Sequence, residues 1–237
     1  MSSIPLAYAA LAALGNVLGA AAVTWRATWS KGALEGMLAL SAGFMVSVAI
    51  VELIPESVLR GGVAAGAWIL GGYLLVHLTQ HTLGGHFHFG EERHSVSTSV
   101  SSAAFGGLLV HTLVDGVAIA SGYEVSPALG ALVFGAVLLH KVPEGLAIAS
   151  MFLAAGSPRR TAMLAAAALG LTTILGVVLT SRIEPLARFG LPIAAGVSLY
   201  VGASNLVPEL HRMPRWRSAV AFFGGCALFV MARSLTS

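Results

Sequence analysis

Two stretches of this 237-residue chain set a histidine and a carboxylate about one helical turn apart: His111 with Asp115, and His140 with Glu144. Residues four apart stand one above the other on a helix face, so each stretch offers an imidazole and a carboxylate in the same direction. If the two helices face each other, the four groups converge as two nitrogen and two oxygen donors. That set suits a borderline divalent cation, zinc first, with iron, manganese, cobalt and cadmium as competitors. Such ligands bind metal only when deprotonated, so an ion held by them is expected to be lost at low pH.

The surroundings of the two pairs repeat as well, HTLVDGVAIA over 111–120 and HKVPEGLAIA over 140–149. Gly116 and Gly145, directly after the carboxylates, would let a neighbouring helix approach closely. Pro143 removes the amide that would bond the Leu139 carbonyl, which loosens the backbone beside His140 and Glu144. Broken helices at membrane depth usually line a water-filled path. A second repeat aligns SAGFMVSVAIVELIPE, 41–56, with AAGVSLYVGASNLVPE, 194–209, without a gap. Matching Ala and Gly alone can arise by chance in small-residue helices. A His and a carboxylate at matched spacing cannot be dismissed in that way.

The elements that must carry these residues follow from composition. With 57% hydrophobic and 10% charged residues, against about 25% charged in soluble domains, the chain reads as an all-α integral membrane protein. Apolar runs long enough to cross about 30 Å of hydrocarbon fall near 4–23, 33–53, 62–82, 99–121, 127–152, 161–181, 187–208 and 217–235. Eight transmembrane helices use nearly all of residues 1–237 as one polytopic domain, and continuously apolar runs exclude a barrel of alternating strands. Residues 4–23 lack a preceding Lys or Arg and read as a retained first helix rather than a cleaved signal. The second and seventh spans cross in opposite directions, as do the fourth and fifth, so both repeats are inverted. Such symmetry about an axis in the membrane plane is a mark of secondary transporters, with the substrate at the repeat interface.

The net charge of +3 does not point to nucleic acid, because the basic residues are distributed by loop and form no patch. Arg26, Lys31, Arg93, Arg159, Arg160, Arg212, Arg215 and Arg217 fall on one side, and Arg60, Arg182, Arg188 and Arg233 on the other. The positive-inside rule then puts both termini on the extracytoplasmic side of a cell membrane. The single cysteine, Cys226, rules out an intrachain disulfide and reads as packing. Four ionisable groups in two spans are costly, about 2.5–3.5 kcal/mol each at the membrane centre, and default to a functional role. The bland alternative is a set of interhelical hydrogen bonds that holds the bundle together.

The segments HTLVDG (111–116), HKVPEG (140–145), ELIPE (52–56) and NLVPE (205–209) resemble the signature segments of the ZIP (Zrt-/Irt-like protein) metal transporters. The resemblance implies eight helices with both termini outside, helices 1–3 inverted onto 6–8 around helices 4 and 5, and a metal site between helices 4 and 5. It further implies import of a divalent metal into the cytoplasm without ATP, by a transporter and not an enzyme. Members often pair as homodimers, although nothing in these residues demands it.

This chain departs from the commoner family pattern. Many members carry His-Asn in helix 4, a second ligand after the first position of helix 5, and acidic residues on helices 6 and 7, which together hold a second ion. Here Thr112 and Lys141 stand at the first two positions, no carboxylate lies between Thr161 and Ser181, and Asn205 stands where an acid is often found. Every change removes a ligand for that second ion. The Lys141 ammonium could fill its place and neutralise Asp115 or Glu144, or else snorkel to an interface. A single metal per pathway is expected, moved by alternating access.

Glu52 aligns with Asn205 and lies about two turns after Met45 on one face, which makes it a fifth ligand candidate beside His111, Asp115, His140 and Glu144. It could equally be a polar residue reaching the outer surface. Glu56 and Glu209 read as entrance and exit residues. Residues 83–98 form a short cytoplasmic loop with His86, His88, Glu91, Glu92 and His94, and His81 just before it, a tract that can bind metal weakly. Two rivals remain at this level: an intramembrane zinc hydrolase, in which the same ligands activate a water, and a passive metal channel.

Overall fold

The computed structural model describes residues 3–26, 31–83, 98–207 and 215–236. The expected histidine-bearing loop and Glu209 lie outside them. All regular structure among the described residues is helical: α1 (Ser3–Arg26), α2 (Lys31–Val48, through a π-turn at Ala49–Leu53, then Ile54–Gly61), α3 (Ala64–Leu83), α4 (Thr98–Val125), α5 (Pro127–Ala154), α6 (Arg159–Thr180), α7 (Glu184–Leu199, then a π-turn at Tyr200–Leu206) and α8 (Arg215–Thr236).

Six of these stretches are long and apolar enough to cross a membrane: Ser3–Trp25, Gly36–Gly61, Phe105–Val125, Pro127–Leu153, Arg159–Thr180 and Trp216–Leu235. α3 holds a shorter apolar stretch, Ala64–Thr79. The chain is therefore a multi-pass membrane protein by the length and composition of its helices. Its exterior agrees: Leu11, Leu14 and Leu18 of α1 and Phe223, Val230 and Met231 of α8 are exposed, whereas His111, Asp115, His140, Lys141 and Glu144 are buried. Apolar side chains outside and charges inside suit a lipid solvent.

Two packing groups emerge. In one, α1 packs on α5 and α6, and α4 packs on α5 and α6. In the other, α2 packs on α8, α3 packs on α7, and the π-turn of α7 lies against α2. The groups meet chiefly where α4 touches α7 and α2 touches α5.

Four glycine pairs make the closest crossings, each glycine meeting a backbone carbonyl of its partner helix where a Cβ would intrude. Gly19 and Gly145 join α1 to α5, and Gly116 and Gly176 join α4 to α6. Gly43 and Gly225 join α2 to α8, and Gly72 and Gly196 join α3 to α7. Without a hydrophobic drive between helices in lipid, close backbone approach through small residues is what such packing rests on. These pairs follow the sequence repeats. The shift that aligns the His-carboxylate segments carries Gly116 onto Gly145, and the shift that aligns 41–56 with 194–209 carries Gly43 onto Gly196 and Gly72 onto Gly225. The same shift brings the two π-turns into overlap.

Candidate metal centre

The centre is built on the hairpin of α4 and α5. Ser126 is the only residue between them, its hydroxyl accepting from the Leu129 amide at 3.1 Å while Pro127 occupies the first turn, so the two helices run back to back in opposite directions. Gly116 lets α6 close against α4, and Gly145 lets α1 close against α5, one residue past each carboxylate. The four helices thus wrap the two polar pairs.

His111, Asp115, His140 and Glu144 are all buried, and one ligand atom from each lies within 4.8 Å of all the others. The Nε2 of His140 is 3.3 Å from Asp115 Oδ2, and that of His111 is 3.5 Å from the same oxygen. Both imidazole nitrogens stand 3.9 Å from Glu144 Oε2. The rings of His111 and His140 have centroids 5.5 Å apart. The two histidines therefore face a common point.

Nδ1 of His140 lies 2.8 Å from the Ala136 carbonyl. A carbonyl only accepts, so Nδ1 carries the hydrogen, and Nε2 is the nitrogen turned toward Asp115, free to hold either a proton or a metal ion there. A lone pair facing a carboxylate oxygen at 3.3 Å is stable only with a proton or a cation between them. His111 Nδ1 is buried with no hydrogen-bond partner.

Lys141 is completely buried, and its Nζ donates to Asp115 Oδ2 at 2.7 Å and to Glu144 Oε2 at 3.0 Å. It does not reach an interface. It neutralises one of two carboxylate charges that would otherwise sit together in a low-dielectric interior, and it touches the same oxygens that face the histidines.

α5 stays helical through Pro143, so the expected break is instead a local repair. The Leu139 carbonyl, deprived of its amide partner, accepts from Ser41 Oγ of α2 at 2.9 Å. Glu52 is not brought into the group. It lies in the π-turn of α2 and its carboxylate pairs with Arg233 of α8, which is where the chain's own charge complement sends it. Glu56 pairs with Arg60 one turn on, at 2.6 Å. Two polar neighbours of the centre were not legible as such: Ser41, and Asn16 of α1, whose Nδ2 donates to Glu144 Oε1 at 3.4 Å. Each is an uncharged polar residue in a largely apolar helix, and only the packing shows its partner.

A buried two-histidine, two-carboxylate centre inside a multi-pass helical bundle defines a membrane protein built to handle a metal ion. The family model "ZIP Zinc transporter" matches residues 79–232, more than half of the chain, and the chain belongs to that family. It is a divalent metal transporter of the membrane and not an enzyme, with the metal ion as its substrate. No curated protein matches the chain significantly.

Proposed function

We propose that the protein imports Zn2+ into the cytoplasm by alternating access, carrying one ion at a time through a site formed by His111, Asp115, His140 and Glu144. The observation that carries this reading is the meeting of acceptors: the His140 lone pair, one oxygen of Asp115 and one of Glu144, with His111 beside them. Two imidazole nitrogens and two single carboxylate oxygens are a donor set for a tetrahedral borderline ion. Protons compete for the same atoms, so uptake falls on acidification.

The single-ion reading is supported by Lys141, whose ammonium is bonded to Asp115 Oδ2 and Glu144 Oε2 and supplies the positive charge that a second cation would otherwise bring to these carboxylates. Thr112 and Thr173 turn their hydroxyls to carbonyls of their own helices. The site needs no second copy of the chain, since all four donors come from α4 and α5. Eight spans in an inverted arrangement, helices 1–3 onto 6–8, are supported by the reciprocal glycine crossings and the paired π-turns, and termini on the extracytoplasmic side by the loop distribution of Lys and Arg. Glu52, engaged by Arg233, is left out of the ligand set.

Two measurements test this. Purified protein in liposomes should take up Zn2+ saturably, and Glu144→Ala should abolish most of that uptake; equal rates in the two would reject the site. Metal counting on the purified protein should find one tightly bound ion per chain at this centre, and two would refute the single-ion reading.

A further inference from the structure

α1 carries no histidine and no acid, yet it supplies a wall of the centre. Asn16 is completely buried there. Its backbone carbonyl is what Gly145 packs against, and at the preceding position a Cβ on Gly15 would stand 3.0 Å from the Lys141 Cβ, so α1 is fitted to residues 141–145. The Asn16 amide then divides the Glu144 carboxylate. Oε2 faces Lys141 at 3.0 Å and both histidines at 3.9 Å, whereas Oε1 accepts from Asn16 Nδ2 at 3.4 Å. The opposite amide orientation would set Oδ1 against Oε1, two acceptors with no hydrogen between them. The orientation adopted leaves Asn16 Oδ1 buried without a partner, a penalty that folds rarely keep without a reason.

We infer that Asn16 is a specificity-determining residue: by holding Oε1 it restricts Glu144 to one oxygen toward the ion, which favours a small four-coordinate cation over larger ones that gather six or more oxygens. Zn2+ takes four ligands, whereas Mn2+ and other oxygen-seeking ions are better served by a carboxylate free to bind through both oxygens. The inference rests on the reading of this centre as the transport site. The residue at the corresponding place on α6, where Gly116 makes the matching contact, is Thr173, and its hydroxyl turns back to the Leu169 carbonyl. Among the described residues, only the Glu144 side of the centre is restrained in this way.

The test compares KM and maximal rate for Zn2+ and for Mn2+ in liposomes containing the native chain, Asn16→Ala, Asn16→Thr or Glu144→Ala. The threonine variant fills more of the space than alanine, and its hydroxyl would bond the Ala12 carbonyl as Thr173 bonds Leu169, so it too removes the amide donor. In both Asn16 variants the preference for Zn2+ over Mn2+ in rate/KM should drop about five- to tenfold, the scale of one ordinary hydrogen bond. An unchanged ratio, or an equal loss for both ions in variants that remain monodisperse, would overturn the inference and leave Asn16 a packing residue. If Glu144→Ala transports like the native chain, it is the transport site itself that fails.

Discussion

Lys141 is the residue whose removal separates stability from binding. Its ammonium touches one oxygen of Asp115 and one of Glu144, and breaking a buried pair by deleting one partner costs about 3–5 kcal/mol, because the remaining charges stay buried. Lys141→Ala should therefore lower the melting temperature of metal-free protein. It should also bind Zn2+ more tightly, since the tethered cation no longer competes for the same oxygens, so added Zn2+ should raise the melting temperature of the variant by more than that of the native chain. Thermal melts with and without Zn2+ check both halves; a variant as stable as the native chain without metal would mean that Lys141 neutralises nothing. The four donors were readable because helical spacing and repetition are local properties of sequence. Ser41 and Asn16 were not, because a single hydroxyl or amide in an apolar helix has no signature until the carbonyl of Leu139 or the carboxylate of Glu144 is brought to it from another helix. The pairing of Glu52 was not legible for the same reason: its partner, Arg233, comes from α8.

At the scale of the helices, the adjacent glycines of α3 and α8 give a paired test. Gly72 and Gly225 each press on a backbone carbonyl, of Ile193 and Leu40 respectively, whereas a Cβ on Gly71 or Gly224 meets nothing within 4 Å. A methyl group forced between packed backbones separates the helices, with a cost of about 1–3 kcal/mol or more. Gly72→Ala and Gly225→Ala should each destabilise the protein by at least that amount, and Gly71→Ala and Gly224→Ala should be neutral or slightly stabilising, since alanine is the better helix former. Denaturation of the four variants in detergent measures it, and similar losses at both members of a pair would contradict the crossing geometry. Helices could be read from apolar length, and the repeat could be read from matched segments. Which glycine of each doublet faces the partner could not, because neighbouring positions are distinguished only by the rotation of the helix in the bundle. The π-turns were hidden for a related reason, since nothing in local composition marks the extra residue that widens a turn.

The described helices divide into a group that carries the proposed site, α1 with α4, α5 and α6, and a second group, α2 with α3, α7 and α8, and the proposed alternating access requires these to move against each other. Two positions test that motion. On the boundary between the groups, a Cβ built at Gly190 of α7 lies 3.5 Å from the Ser121 Cβ of α4, within the range that a disulfide spans. Inside the site-bearing group, a Cβ at Gly170 of α6 lies 2.8 Å from the Ala13 Cβ and 2.9 Å from the Ala13 Cα of α1, nearer than the Cβ atoms of a disulfide stand, so a bridge forms here once the two helices part slightly. With the single native thiol removed by Cys226→Ser, Ser121→Cys with Gly190→Cys should lose saturable Zn2+ uptake on oxidation and regain it on reduction. Ala13→Cys with Gly170→Cys should transport in both states, because its link joins helices that travel together. A boundary cross-link that left uptake intact would instead describe a fixed pathway, through which the ion passes without any relative movement of the groups.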